Sequence, residues 1–298
     1  MSRPVSEPDG RVTVAVITRD RPASALRTLD ALGALPERPP IVVVDNGSDS
    51  SALRALRRHP AATHVLKPPR NTGALGRNLA VRRAETPYVA FSDDDSWWDP
   101  GALRHAADLL DRHPRLGLLT ARTLVGPDGA EDPLNAVLAA SPLPREPDLP
   151  GRPVLGFLAC ASVVRRDAFL GAGGFHPLIF FAGEESLLAY DLAAAGWGVV
   201  YEPSLTARHH PAPGGRGGRS PLLWRNEVLT LWLRRPWPVA LRASMRLASA
   251  AALGEPGARR ALREALVRLP AALARRRPLP PRVERAARLL EEEAVGRR

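Results

Sequence analysis

A chain of 298 residues that is 45% hydrophobic and 24% charged can bury one large α/β core, or one core with an added segment. No apolar run approaches the ~20 residues of a membrane span, no charged-then-apolar leader opens the sequence, and the lone Cys160 excludes an internal disulfide and fits a reducing cytosol. The net charge of +11 is almost wholly arginine, Lys67 being the single lysine. Nucleic-acid binding, attraction to anionic lipid and simple coding bias compete to explain it. Coding bias accounts for most of the excess and lipid attraction for part of the C-terminal region.

Residues 1–10 are polar, with Pro and Gly, and read as a disordered N-terminus. Val12 to Ile17 is a continuous, largely β-branched run, the mark of a strand buried on both faces. Pro22 suits the first turn of a helix over 22–35. Ile41 to Val44 predicts a second buried strand, 50–58 a short basic helix, His64 to Leu66 a weaker strand, 73–84 a helix and 88–91 a fourth strand. This alternation has βαβ spacing and predicts a doubly wound, mostly parallel sheet flanked by helices. A helix over 100–112 and a strand over 116–119 follow. Residues 126–153, rich in Pro, Asp and Gly, read as a surface excursion. Apolar order resumes at 155–164. A helix spans Glu184 to Ala195 and ends at Gly196, and 198–201 reads as the last strand. A Gly-, Pro- and Arg-rich linker over 211–220 leads to helical segments heavy in Ala, Leu and Arg over 221–298.

Ligands of an open parallel sheet bind beyond the carboxyl ends of its strands. Polar residues cluster there: Thr18-Arg19-Asp20-Arg21 after the first strand, Asp45-Asn46-Gly47-Ser48 after the second, Asp93-Asp94-Asp95 after the fourth. Three adjoining carboxylates repel one another, and a hard divalent cation such as Mg²⁺ or Mn²⁺ would relieve this. An acidic turn capping the next helix is the plainer alternative for any one of these sites. Arg77 and Asn78 begin a helix, whose N-terminus favours anions.

Together, Val14 to Arg19, Val43 to Ser48, Asn71-Thr72-Gly73 with Arg77-Asn78, and Phe91 to Asp95 resemble the nucleotide-binding half of a family 2 glycosyltransferase, which has the GT-A fold. The resemblance continues through Gly174-Phe175, Gly183-Glu184-Glu185, Asp191-Leu192, Gly196-Trp197 and Pro203 to His209. It spans about residues 11–210, with a nucleotide half over 11–120 and an acceptor half over 121–210. It implies that Thr18, Arg19, Asp45 and Asn46 hold the base and ribose of a nucleoside-diphosphate sugar. Arg77 and Asn78 would face ribose or phosphate. Asp93 and Asp94 would lie at the nucleotide, with Asp93 also facing the metal's water shell. Asp95 would ligate Mg²⁺ or Mn²⁺, with His209 completing the site. It further implies single displacement with inversion onto a hydroxyl acceptor. Glu185 would be the base and Glu184 its backup, although relatives carry Asp where Glu185 stands.

Trp97 and Trp98 follow the acidic triplet; one is expected to stack on donor or acceptor sugar and the other to pack the loop. The Trp-, Leu- and Arg-rich stretches at 222–226 and 231–237 suit either an interfacial helix on an anionic membrane or an amphipathic helix packed on the catalytic domain, the second being preferred. The enzyme is expected to be cytoplasmic, with an anionic inner membrane face as a docking surface only on the interfacial reading, and with no specific nucleic-acid partner. Two rivals remain. A nucleotidyltransferase usually shows a Gly-rich loop after the first strand, and Thr18 to Pro22 has no glycine. A non-catalytic sugar-nucleotide or nucleic-acid binding module is allowed by charge, but 5% aromatic content is low for base stacking.

Overall fold

A computed structural model describes residues 9–212 and 221–296. Residues 1–8 of the expected N-terminal tail and 213–220 of the expected linker lie outside the described residues. The elements in chain order are β1 (Val12–Thr18), α1 (Pro22–Gly33), β2 (Ile41–Asp45), α2 (Ser50–Arg58), β3 (His64–Leu66), α3 (Leu75–Arg83), β4 (Tyr88–Asp93) and β5 (Ser96–Trp98). Then come α4 (Ala102–Arg112), β6 (Leu116–Val125), β7 (Ala130–Glu131), α5 (Pro133–Ala139), β8 (Arg152–Pro153), β9 (Ser162–Arg165), α6 (Arg166–Gly171), α7 (Glu184–Ala194) and β10 (Gly198–His209). Four helices close the chain: α8 (Pro221–Arg234), α9 (Trp237–Ala252), α10 (Ala258–Ala274) and α11 (Pro281–Gly296).

The sheet order is β3-β2-β1-β4-β9-β6-β10-β5. β3, β2, β1 and β4 are mutually parallel, β9 runs antiparallel between β4 and β6, and β10 lies parallel to β6. Strand period 2 sends Val14 and Val16 to one face, where Leu29, Leu56, Leu103 and Leu110 of α1, α2 and α4 cover them. Ala15 and Ile17 face the other side, against Val81 of α3, Phe169 of α6 and Leu188 and Leu192 of α7. Both faces are therefore dry, which is why these strands read as unbroken apolar runs. In the parallel register Thr18 lies beside Asp45 and Ile17 beside Asp93, so three polar strand ends share one edge.

The structure departs from the sequence reading in three places. The strand from Leu116 continues to Val125, and the last strand continues past Val200 and Tyr201 to His209. Pro203 lies just beyond the expected end of that strand, at a register shift between Glu202 and Thr206, after which pairing with β6 resumes. Within 126–153, Asp132 and Pro133 are not loop formers alone. Asp132 accepts from the Leu134 amide and Pro133 occupies the first turn of α5.

Helices α8 to α10 build a core of Leu229, Leu233, Ala240, Leu247, Ala261 and neighbours, and Ile179 and Leu187 ahead of and on α7 belong to it. Arginines tie these helices to the sheet layer. Arg234 pairs with Asp191 of α7, and fully buried Arg235 pairs with Glu284 and Glu291 of α11 at 2.7 and 2.6 Å. Part of the basic charge is thus internal fastening. Removing one partner of a buried pair strands the other. Arg235→Leu should lower the unfolding free energy in urea by about 3 kcal/mol, and Arg235→Leu with Glu284→Leu should recover part of the loss.

Candidate active site

The chain leaves β4 into a tight turn closed by the Asp93 amide donating to Ser96 Oγ at 2.8 Å. The three carboxylates then point to different partners. Asp94 accepts from Thr18 Oγ1 at 2.9 Å and from Arg21 Nη1 at 2.6 Å. The other arm of the same guanidinium reaches Asp95 Oδ2 at 2.9 Å, while Asp95 Oδ1 faces His209 Nε2 at 3.4 Å. Burial pushes Asp94 up to about 6 despite Thr18 and Arg21. Burial acts on Asp95 too, but contacts with His209 and Arg21 outweigh it and hold that carboxyl below its ordinary range. Asp95 is therefore the member of the neighbouring pair that gives up its proton more readily.

Asp93 is the ion-pair partner of Arg77, which is 1% exposed and lies 3.5 Å from Glu184. The Phe175 ring packs 5.6 Å from the guanidinium carbon. Gly183, in the left-handed region at φ +81°, turns the chain into α7, whose first turn carries Glu184 and Glu185. Negative charge is favoured at that end of a helix. Glu184 is 3% exposed and its Oε2 has no hydrogen-bond partner. Glu185 is only partly covered, and burial, with Glu184 adding to it, pushes its carboxyl up to about 8. The charges of Arg77 and Asp93 also act on Glu185. The buried Cys160 thiol, pushed up chiefly by burial, feels Asp93, Asp95 and Glu185 together. The acidic turn and the α7 start are thus electrostatic neighbours, joined through Arg77.

A cavity of about 400 Å³ opens beside them, and its lining includes Thr18, Arg19, Asn46, Asp93, Asp94, Asp95 and His209. Those seven expected residues come together. Asp45 lies beneath: its Oδ1 accepts from the Gly47 and Ser48 amides, and its buried Oδ2 is unpartnered. Asn46 is spent on the loop, accepting from Thr72 and donating to the Gly73 carbonyl. Two expectations need correction. Both ends of the Asn78 amide pair with the Phe175 backbone at 2.9 Å, so Asn78 fastens a loop and does not face ribose. Arg77 is enclosed by carboxylates, away from the cavity surface. Of the two tryptophans, Trp98, 1% exposed within the sheet core, is the one that packs and cannot stack on a sugar, while half-buried Trp97 lies 4.5 Å from the His210 ring.

Sequence reasoning passed over Arg21, Phe180, Phe181 and Leu222, which also line the cavity. Arg21 stood in a strand-end motif, yet only the left-handed Asp20 (φ +56°) shows where it turns. Nothing local marks Phe180 and Phe181, except that two exposed aromatics precede the acidic pair.

Among the described residues no group of three His, Cys, Asp or Glu side chains is arranged to hold a metal. The Asp95–His209 pair nevertheless fits a Mg²⁺ or Mn²⁺ site completed by water and phosphate oxygens. Their donor atoms, His209 Nε2 and Asp95 Oδ1, lie 3.4 Å apart, against about 3.0 Å between adjacent positions of an octahedron, and Asp95 is held in its ionised form.

The family model for glycosyl transferase family 2 matches residues 13–171, and the chain belongs to that family. The fold is the GT-A fold, shared with glycosyltransferases of known structure. It is similar to GalNAc-T7, crystallised with UDP, GalNAc and Mn²⁺ (TM-score 0.62, 15% identity, 82% of this chain covered), but spans only 52% of that protein. It is similar to the mannosyltransferase PcManGT from Pyrobaculum calidifontis in complex with GDP-Man and Mn²⁺ (TM-score 0.57, 22% identity, 97% of this chain and 88% of the other). It is also similar to residues 1–349 of TarS from S. aureus in complex with UDP-GlcNAc (TM-score 0.56, 18% identity, 86% and 71%). No curated protein sequence matches the chain.

A carboxyl whose pKa is higher folded than unfolded holds its proton only in the native state between the two values. Stability is then lost as pH rises from the unfolded value near 4.5 through about 8. Glu185→Gln should remove this loss. Its melting temperature should exceed the wild type's at pH 9 and converge with it at pH 5, as read by differential scanning fluorimetry.

Proposed function

We propose that the protein transfers a sugar, with inversion, from a nucleoside-diphosphate sugar to a hydroxyl acceptor. The observation that carries the reading is a strand-end cavity lined by Asp93, Asp94, Asp95 and His209, with the acidic start of α7 joined to Asp93 through Arg77. Asp45, with a buried unpaired oxygen, and Thr18 offer partners to base and ribose. Asp95 and His209 would hold the divalent cation. When bound, that ion supplies positive charge to the departing diphosphate. Arg21, already bidentate on Asp94 and Asp95, adds a fixed guanidinium beside the same oxygens.

Glu185 is the general base in this reading. Its raised pKa makes it a stronger base than a free glutamate for the acceptor's proton. Glu184 is held by Arg77 and acts as its electrostatic neighbour. Phe180, Phe181 and Leu222 form the apolar lip of the cavity and offer flat faces to an acceptor.

An anionic membrane surface is the proposed docking partner, at the cytoplasmic face. On α9, Trp237, Leu241 and Met245 are exposed four residues apart, with exposed Arg242 and Arg246 beside them. Among the described residues no helix is long and apolar enough to cross a membrane, so contact would be interfacial. A lipid-linked acceptor would fit such docking. Flotation with phosphatidylglycerol vesicles at low salt should recover the chain, and phosphatidylcholine vesicles should not; equal recovery ends this part of the reading.

The catalytic reading is tested by screening sugar nucleotides with Mn²⁺ for thermal stabilisation, then assaying the stabilising donor. Asp95→Ala and Glu185→Gln should each lower transfer at least about 10³-fold. Glu185→Gln should keep donor-induced stabilisation, whereas Asp95→Ala should lose most of it. A chain that binds donor but turns none over, or is indifferent to Glu185, is a binding module instead.

A further inference from the structure

The turn that delivers Glu184 and Glu185 is costly on its own. Ala182 and Gly183 are consecutive left-handed residues, at φ +72° and +81°, and an alanine there is held against a penalty of roughly 1–2 kcal/mol. The carbonyls of Phe181 and Ala182 need partners, and both are met by one side chain from α8. Asn226 Nδ2 donates to Phe181 O at 2.8 Å and to Ala182 O at 2.7 Å. Asn226 is fully buried, and its Oδ1 accepts from Arg225 Nε and Nη2 at 2.9 and 2.8 Å. Arg225, 2% exposed, sends Nη1 to Glu264 of α10 at 2.7 Å. Every polar end of Asn226 is thereby spent, and its rotation is locked from behind.

The same turn is gripped on the nucleotide side. The Ala74 amide donates to Phe180 O at 2.8 Å, and a Cβ at Gly73 would fall 2.1 Å from that oxygen. The loop carrying Gly73 is held by Asn46. The segment 180–183 is therefore clamped between the donor loop and α8. A methyl-scale error in this clamp would swing the Glu185 carboxyl away from the attacking hydroxyl, and catalysis is sensitive to such misplacement.

We propose that Asn226, backed by Arg225, is a positioning residue for the catalytic base, acting through the backbone of Phe181 and Ala182. The C-terminal helices are on this view part of the catalytic apparatus. The inference rests on the reading of Glu185 as base.

The test compares full-length wild type, Asn226→Ala, Asn226→Asp and Ser244→Ala. Asn226→Asp keeps volume and the Arg225 pair but turns an oxygen toward two carbonyls. Ser244→Ala removes the hydroxyl that accepts from Trp232 Nε1, a tie between α8 and α9 that makes no hydrogen bond to the turn. Hydrogen exchange at amides 182–186 should quicken at least about tenfold in both Asn226 variants and stay unchanged in Ser244→Ala. With the donor found by thermal stabilisation, kcat should fall about 10- to 100-fold in the Asn226 variants, with donor KM changed less than about threefold. Unchanged exchange overturns the proposal whatever the activity. Quickened exchange with wild-type kcat, or an equal kcat loss in Ser244→Ala, overturns it as well. A wild type that turns over no donor, with quickened exchange in the variants, overturns the base assignment and this proposal with it, and leaves the clamp as architecture.

Discussion

Arg77 is enclosed where strand β4 meets the start of α7, with Asp93 on one side and Glu184 on the other. A guanidinium taken out of water must be met by opposite charge, and carboxylates brought this close to one another must be separated by a cation. One residue meets both demands. Asp93 and Glu184 lie far apart in the chain, and without Arg77 their approach would be repulsive. The buried cation makes it favourable, and Phe175 supplies a polarisable ring at 5.6 Å in place of water. The geometry of the candidate site follows from this contact, because it fixes the acidic turn and the acidic helix start to a common origin.

Around that origin the carboxylates divide by environment. Asp94 is raised by burial and shares its oxygens with Thr18 and Arg21. Asp95 is kept ionised by Arg21 and His209. Glu185 is raised by burial and by Glu184. Neighbouring groups of one chemical type thus acquire different proton affinities, which is the separation of roles that acid–base and cation chemistry require. Arg21 is the economical element here. It lets the turn fold with two ionisable groups side by side, and it stands on one oxygen of Asp95 while leaving the other toward His209.

Much of the sheet was legible because its strands are dry on both faces. Val12 to Ile17 and Ile41 to Val44 admit hardly any other reading, and Asp at successive strand ends follows from the parallel register that places Thr18, Asp45 and Asp93 together. The acidic pair at 184–185 was visible as a helix start. What escaped was through-space. Asn78 and Arg77 share a helix N-terminus, a position that suits an anion, yet their side chains turn inward to a loop carbonyl and to carboxylates. Trp97 and Trp98 alternate across a strand, so one is buried by period 2 as soon as β5 pairs with β10, an antiparallel pairing between residues as distant in sequence as Trp98 and Ala207. Pro203 and the Asp132-Pro133 pair carry punctuation that reads equally as loop, bulge or helix cap, and only the neighbours choose.

The C-terminal arginines show why charge composition is a blunt guide. Residues 221–298 hold 17 arginines and 7 glutamates, close to the whole chain's excess of +11. Arg225, Arg234 and Arg235 are nonetheless buried or nearly so, and each is matched by a carboxylate on another helix. Arg276 caps the carbonyls of Trp232 and Arg235 and lies 4.5 Å over the Trp237 ring. These are internal ties, chosen because a guanidinium can serve several acceptors at fixed angles where an ammonium cannot. The charge left for an external anion belongs to residues such as Arg242 and Arg246 on the exposed side of α9. The internal arginines belong to α8 and to the segments after α8 and α10, and the exposed Arg242 and Arg246 to α9. Arginine in this region therefore serves in part the packing of the helices on one another and on α7, while Arg242 and Arg246 on α9 are exposed.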